Sequence, residues 1–404
     1  MASASPAGVP ALDIDPFSDD FLANPYPDHE RLREAGPVVW LAKYDIYATA
    51  RHAQVREVLS DHATYISSAG VGLANFNKEP PFRPKSLILE ADQPHHTRAR
   101  NILARILSPK AIPQIRADFS KAADAMLDGL AGRAAGNQVV DGIKVLAEPY
   151  PLKVFPDAVG LDETGRENLL LYGDMVFNSF GPRNDLLLNA AQRVQPVTAW
   201  IMDHCQRAML RPGGFGDQIY QAADAGEITH EEAPMLVRSF LSAGVDTTVN
   251  GIGNALFCLA RHPEEFDKLR ANPQLARQAF EESLRYESAV QTFFRTTSRD
   301  VELAGVVIPE GSKVLTFLAA ANRDPRQWAE PERFNVERKN IGHMAFGTGI
   351  HGCVGQIVAR LEGELILAGL VKRFKRIELA GTPTRRLNNT LRALANLPLH
   401  LTPA

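Results

Sequence analysis

The chain reads as a mainly α protein with small β segments, on three grounds. Helical patterns fill residues 110–226, broken only at Pro149, Pro151, Pro156, Pro182 and Gly213-Gly214. A longer pattern runs from residue 229 to about residue 261, stopping before Pro263; at 1.5 Å per residue it would extend roughly 48 Å. Strand-like runs are short and lie towards the two ends, at 38–42, 46–50, 301–308, 313–318 and within 376–401.

Bulk properties narrow the class. The 404 residues are 45% apolar and 23% charged, enough to bury a large core. A formal net charge of −3 gives no reason to expect nucleic acid or an anionic membrane as partner. The three cysteines, Cys205, Cys258 and Cys353, are too few and scattered for a disulfide framework or zinc site. That usage suits a reducing cytoplasm. No apolar run approaches the ~18 residues needed to span a bilayer. Residues 1–27 are small, polar and proline-rich without a basic start, so they are expected to form an extended leader, not a signal peptide or anchor. Residues 28–404 are expected to be one domain, acting as a monomer.

Taken in order, residues 26–35 look helical, and the strands at 38–42 and 46–50 follow. Residues 66–86 are a Gly/Pro-rich loop without period, carrying Phe76, Phe82, Arg83 and Ser86. A loop that long in a compact domain is usually functional. Asp92 and Pro94 are helix-start signals. The helix they open puts His96 and Arg100 on one face, four apart. Such a pair suits an anion, although a solvated surface pair is the plainer alternative. Phe177 and Phe180, three apart before Pro182, have core spacing.

Thr229-His230-Glu231-Glu232 is a capping box opening the longest helical pattern. In its middle stands Ala243-Gly244-Val245-Asp246-Thr247-Thr248. Glycine and paired threonines are poor helix formers. A threonine hydroxyl can return to a carbonyl one turn back and bend the ladder. The expected result is a groove lined by Thr247 and an acid, against the bland alternative of a tolerated kink. Residues 263–286 give two more helices, the second with Glu282 and Arg285 three apart. Exposed, that pair would contribute little. The strands at 301–308 and 313–318 are expected to turn at Pro309-Glu310-Gly311.

One stretch carries the chemistry: Phe346-Gly347-Thr348-Gly349-Ile350-His351-Gly352-Cys353-Val354-Gly355. A helical pattern opens at residue 354 and continues to about 374. A thiolate is a strong metal ligand once its charge is stabilised. Free backbone N–H groups and the positive end of the helix dipole would do that here. Gly352 and Gly355 let a flat cofactor approach the backbone. A buried structural cysteine is the alternative.

The pattern F-x-x-G-x-x-x-C-x-G resembles the haem-binding loop of the cytochrome P450 family. The resemblance implies haem b between the long central helix and the cysteine-loop helix, with Cys353 as axial iron ligand. It implies that His96, Arg100, Arg295 and His351 meet the propionates, and that Phe346, Gly347, Gly355, Ala243 and Gly244 lie against the cofactor. A-G-x-D-T-T is similar to the family's oxygen-activating motif, with Thr247 hydrogen-bonding the dioxygen and Asp246 relaying protons. Glu282 and Arg285 match its E-x-x-R, a structural pair joined by the arginine of a later Pro-Glu-Arg-Phe stretch, here Arg333. The chain is too short for a fused flavin reductase. The family then implies electrons from a [2Fe–2S] ferredoxin and its NAD(P)H-dependent reductase. Basic residues on the cysteine side, such as Arg98, Arg360 and Lys372, are candidate docking points, with plain surface solvation as the alternative.

Four segments, 86–92, 176–182, 238–239 and 290–295, are similar to the bacterial group that oxidises para-substituted benzoates. That likeness implies substrate contacts at Arg83, Ser86, Phe177, Phe180, Arg238, Ser239, Val290 and Phe293. Ser239 shares a helix stripe with Ala243 and Asp246, about 12 Å along the axis from Thr247. Arg238 is about 100° off that stripe and could act only by its length or through a bridging water or ion. A buried carboxylate needs hydrogen bonds and positive charge. The expected reaction is O-demethylation or hydroxylation at the para substituent of a small aromatic acid such as 4-methoxybenzoate. Its rivals are oxidation of a terpene or fatty acid, and a haem-binding sensor without turnover. A peroxide-driven enzyme or a sensor would not need the Asp246–Thr247 pair.

Overall fold

The computed structural model describes residues 5–81, 83–134 and 138–404, so Phe82 lies outside the described residues. Its helices are α1 (Asp19–Ala23), α2 (Tyr26–Ala35), α3 (His52–Ser60), α4 (His95–Ile106), α5 (Ile112–Ala134), α6 (Pro149–Val159), α7 (Asn168–Asn178) and α8 (Asp185–Val194). Beyond these come α9 (Thr198–His204), α10 (Phe215–Asp224), α11 (Glu232–Ala243), α12 (Asp246–Arg261), α13 (Pro263–Ala271), α14 (Ala276–Tyr286), α15 (Leu318–Ala321) and α16 (Gln356–Arg373). The expected mainly helical fold is what is found.

The strands are β1 (Ala11–Leu12), β2 (Val39–Leu41), β3 (Ile46–Thr49), β4 (Tyr65–Ile66), β5 (Val140–Asp141), β6 (Thr292–Thr297), β7 (Val301–Leu303), β8 (Val306–Ile308) and β9 (Lys313–Phe317). The last four are β10 (Phe374–Leu379), β11 (Thr384–Arg386), β12 (Ala393–Asn396) and β13 (Pro398–Pro403). One six-stranded sheet has the order β1-β2-β3-β9-β6-β4; β10-β13-β5 form a second, and β7-β8 and β11-β12 are hairpins.

Two strand expectations need correction. Residues 301–308 are not one strand but the hairpin β7–β8, turning through positive φ at Ala304 and Gly305. β9 pairs not with that segment but with β6, Arg295 opposite Val314, and on its other side with β3. The leader is also not extended. Among its described residues, β1 pairs in parallel with β2, and Ile14, Phe17 and Phe21 are buried under the larger sheet.

The helical core centres on α12, in which every residue from Thr248 to Ala260 is buried. A helix covered on all sides needs apolar or small residues all round. Gly253 supplies close approach, since a Cβ there would fall 2.8 Å from Ile143 Cδ1, and Gly251 packs closely against Leu284 and Phe280. Helices α14 and α16 pack on it and on each other.

The expected single helix over 229–261 breaks in two. The capping box does form, with Thr229 N–H donating to Glu232 Oε2 at 2.9 Å and Glu232 N–H to Thr229 Oγ1 at 3.2 Å. The break falls at Gly244-Val245, between α11 and α12. A Cβ on Gly244 would stand 2.0 Å from Phe155 Cε1. Thr247 Oγ1 donates to the Ala243 carbonyl at 2.8 Å, capping the carbonyl that the interrupted ladder releases.

Glu282 and Arg285 are fully buried, joined at 2.8 Å. The third member is Arg338, whose Nε lies 3.1 Å from Glu282 Oε1, and not Arg333. The Arg333 side chain turns outward to Glu330, and only its carbonyl serves the cluster, accepting from Arg285 and Arg338.

Candidate active site

Cys353 stands at the end of a glycine-shaped loop, three residues before the start of α16. Gly347 and Gly349 have φ of +65° and +69°, and a Cβ on Gly349 would meet Leu59 O at 2.6 Å. Cys353 N–H donates to Phe346 O at 2.8 Å, which closes the loop. Gln356 Nε2 donates to Cys353 O at 3.0 Å. Burial pushes the Cys353 thiol up. The Gly355 N–H, Arg100, Arg360 and the Gln356 N–H pull the other way, which is the anion-stabilising geometry expected of the helix start.

Beside it lies a basic cluster. The His96 and His351 rings are 4.3 Å apart. The four ring nitrogens are buried without partners, apart from a loose approach of the Ile88 backbone to His351. Burial, then Arg295 and His96, pushes His351 down to about 3. Burial lowers Arg295 to about 10, and its Nη1 donates only to its neighbour's carbonyl, Phe294 O, at 2.8 Å. Arg100 too is held below its usual range by burial, and Cys353 offsets this. Two buried guanidiniums, Arg100 and Arg295, beside neutral imidazoles with unused ring nitrogens suit an anion between them. The anticipated helix start differs in detail: Asp92 does not cap α4 but accepts from the N–H groups of Ser67 and Ser68.

These two features border one cavity of about 550 Å³. Ala243, Gly244, Thr247 and Thr248, around the α11–α12 break, and Phe346, Gly347, Cys353 and Gly355, from the cysteine loop, all line it. A cavity lined by a thiol, a broken-helix groove, the Arg100 and Arg295 guanidiniums and an imidazole without a hydrogen-bond partner fits a flat dianionic macrocycle such as haem. Asp246 does not share the wall with Thr247. It is buried behind it, 2.8 Å from Arg386 Nη2, with Oδ2 unpartnered. Burial raises its carboxyl, and Arg386 only partly offsets this.

All eight residues expected to contact substrate line the same cavity: Arg83, Ser86, Phe177, Phe180, Arg238, Ser239, Val290 and Phe293. Phe180 meets Phe177 edge-on at 5.7 Å and Phe293 at 5.8 Å. The polar groups are partly committed. Arg83 is bidentate to buried Glu90, at 2.9 and 2.7 Å, and gives its Nε to Ser179. Arg238 donates to Lys85 O at 3.0 Å, Ser239 to Met235 O at 3.2 Å, and Ser86 Oγ accepts from the N–H groups of Ile88 and Leu89. Ser86 therefore retains its own proton.

Two residues on or behind the cavity wall escaped sequence reasoning. Glu362, on α16, lines the cavity with Oε2 buried and unpartnered, and burial pushes it well above the carboxylate range. An acid inside the apolar run 361–371 was the available signal. Arg386 had none, because its partner lies 140 residues away. Of the expected docking cations, Arg98 is paired with Glu232 and Arg360 with Glu281, while Lys372 stays exposed.

A family model described as Cytochrome P450 matches residues 201–401. Over nearly its full length the chain is similar to "Cytochrome p450 CYP199A2" of Rhodopseudomonas palustris, 59% identical over 398 residues, 98% of this chain and 96% of that one. The "Beta-dihydromenaquinone-9 omega-hydroxylase" of Mycobacterium tuberculosis is 32% identical over 401 residues, 97% of this chain and 79% of that protein. Among solved structures, P450BioI in complex with hexadec-9Z-enoic acid ligated acyl carrier protein matches with a TM-score of 0.83 and 28% identity, covering 95% of this chain and all of that one. Epothilone D-bound P450epoK matches at 0.84 and 26%, covering 97% and 100%. The chain belongs to the cytochrome P450 family. It is a haem-binding monooxygenase of the bacterial type, resembling the CYP199 group, and as a family member it uses O2 and a redox partner. Among the described residues no helix is long and apolar enough to cross a membrane.

Proposed function

We propose that this enzyme oxidises a small aromatic carboxylic acid, by O-demethylation or hydroxylation at the para substituent of a benzoate such as 4-methoxybenzoate. The observation that carries this reading is the part of the cavity where the three-ring cage of Phe177, Phe180 and Phe293 adjoins Ser86, Arg83, Ser239 and Arg238. Rings grip a ring, and the polar groups beyond them suit a carboxylate.

In this reading Cys353 holds the haem iron, and His96, Arg100, Arg295 and His351 neutralise its acidic edge. Haem so held supplies the oxidising chemistry from O2 and two electrons, favoured by the thiolate's electron push. The protein's share is position and protons. Thr247 already donates its own proton to Ala243 O, so towards the cavity it offers a lone pair that can hold a water or an O–H group. Asp246 is the proton store behind the wall, and its free Oδ2 is the atom that must turn inward. Ser86 is the donor most available to the substrate carboxylate. Electrons are supplied by a [2Fe–2S] ferredoxin, and the setting is the cytoplasm.

Spectral titration of the haem-loaded enzyme tests the substrate. Binding of 4-methoxybenzoate should be tight, and Ser86→Ala should weaken it about tenfold, the usual effect of one lost hydrogen bond to a charged group. Tight binding of fatty acids or terpenes with none of 4-methoxybenzoate would sink the reading.

A further inference from the structure

Lys313, the first residue of β9, has no part in the chemistry above, yet it is 6% exposed in a strand whose neighbours Val314, Leu315 and Phe317 are all fully buried. Among the described residues its ammonium has no ion-pair partner. It donates to Gly70 O at 2.7 Å and Ala69 O at 3.2 Å, with the Phe294 ring 6.0 Å beneath it. A charge buried this way is expensive unless it does something an apolar side chain cannot.

What it holds is the strap of chain directly before the aromatic cage. Beyond Gly70, Val71 O accepts from Phe294 N–H at 3.0 Å, and Leu73 N–H donates to Phe180 O at 2.8 Å. Gly72 lies so close to Phe180 that a Cβ there would fall 2.7 Å from Phe180 Cα. Val71 itself packs in one cluster with Phe177 and Phe180. Carbonyls pulled towards a buried cation fix the strap, and the strap fixes Phe180.

We propose that Lys313 is a positioning residue for the substrate ring, its ammonium tethering Ala69 and Gly70 so that Val71–Leu73 hold the phenylalanine cage in place. A methionine would fill the same space without the tether, whereas an arginine would keep the charge at any ordinary pH. The tether is also pH-dependent. Burial, with Arg295 of β6 pushing the same way, brings Lys313 down to about 7, against the opposing pull of Glu90 and Glu79. The strap should therefore loosen as pH rises through neutrality.

The test is amide hydrogen exchange on the haem-loaded enzyme, read as protection factors at Leu73 and Phe76. With Lys313→Met both should fall about tenfold, while Leu127 and Leu130 in α5 keep theirs. Unchanged protection at Leu73 and Phe76, or an equal loss in α5, overturns the proposal. If the methionine variant does not fold, Lys313→Arg decides. Its protection should stay flat from pH 6 to pH 8.5 where the wild type loses it, and a flat wild-type profile is an overturning result. Weaker binding of 4-methoxybenzoate by Lys313→Met, about tenfold, is expected in parallel. Only that arm rests on the proposed substrate. If the wild type fails to bind this acid, the substrate reading falls and the exchange data still decide Lys313.

Discussion

Arg386 is the residue whose removal should be felt most directly at the site. It is the counter-ion of Asp246, and among the described residues nothing else bonds that buried carboxylate. Breaking a buried pair from one side leaves an uncompensated charge, which typically costs about 3 kcal/mol or more. Arg386→Met should show this at pH 8 and much less at pH 5. The sign follows from the raised carboxyl. A group whose folded pKa lies above its unfolded one loses stability as pH climbs between the two. Without Arg386 the folded value moves higher still, so the variant's decline must be steeper than the wild type's. Urea unfolding at the two pH values checks it, and equal losses at both would contradict it. Residues of this kind mark where sequence reasoning runs out. The turn around Cys353 was legible because its geometry is local to ten residues, and the burial of Phe177 and Phe180 because their spacing is. Which way Asp246 faces depends on Arg386, brought in by a distant strand. Arg333 and Arg338 are five residues apart in one irregular stretch, and no spacing rule says which of them turns inward to Glu282.

Among the elements, the break between α11 and α12 is the one that shapes the groove. Sequence alone showed a weak point at Gly244 to Thr248 but not whether it would bend or part. The answer lies in Phe155 of α6, whose ring occupies the space a side chain on Gly244 would need. Gly244→Ala should gain helix propensity and still lose stability, by about 1–3 kcal/mol, because overpacking against a buried ring outweighs the ~1 kcal/mol that alanine gains over glycine. Adding Phe155→Leu should restore part of the loss. Denaturation of the single and double variants measures the coupling, and additive effects would rule out Phe155 as the cause. The span of α2 and the outer limits of the α13–α14 pair matched expectation, a proline standing in the first turn of both α2 and α13. The hairpin β7–β8 did not, since its turn at Ala304-Gly305 has little of the usual turn chemistry before its glycine.

At the scale of the molecule, one acid ties together three distant parts of the chain. Glu287, just after α14, meets Arg392 at 2.7 Å, Arg385 at 3.2 Å and Arg323 at 3.8 Å. Arg392 also donates to Ala23 O, and both Arg392 and Arg323 lie over the Tyr26 ring, so the N-terminal residues are locked to the C-terminal strands. Burial pushes Glu287 up, but the three arginines win and hold it at about 2. A depressed carboxyl contributes stability above its unfolded pKa and loses it as pH falls through the interval, here from about 4.5 towards 2. Glu287→Gln should therefore be destabilised by about 3 kcal/mol at pH 6, and the gap to wild type should narrow towards pH 3. Thermal unfolding across that range reads it. A constant gap would place the stabilising charge elsewhere.

The Arg83–Glu90 pair has a bearing on selectivity of another kind. A lone guanidinium would act as a monopole, drawing in any anion and rewarding proximity only gradually. Cancelled by Glu90, it gives the cavity wall a dipole, whose field dies away much faster with distance. The Arg83 side of that wall is a poor magnet but a good ruler. Acids whose carboxylate reaches it at the right length gain from Ser86 and its neighbours, and the long-range pull that remains is that of Arg238, bonded to backbone carbonyls among the described residues.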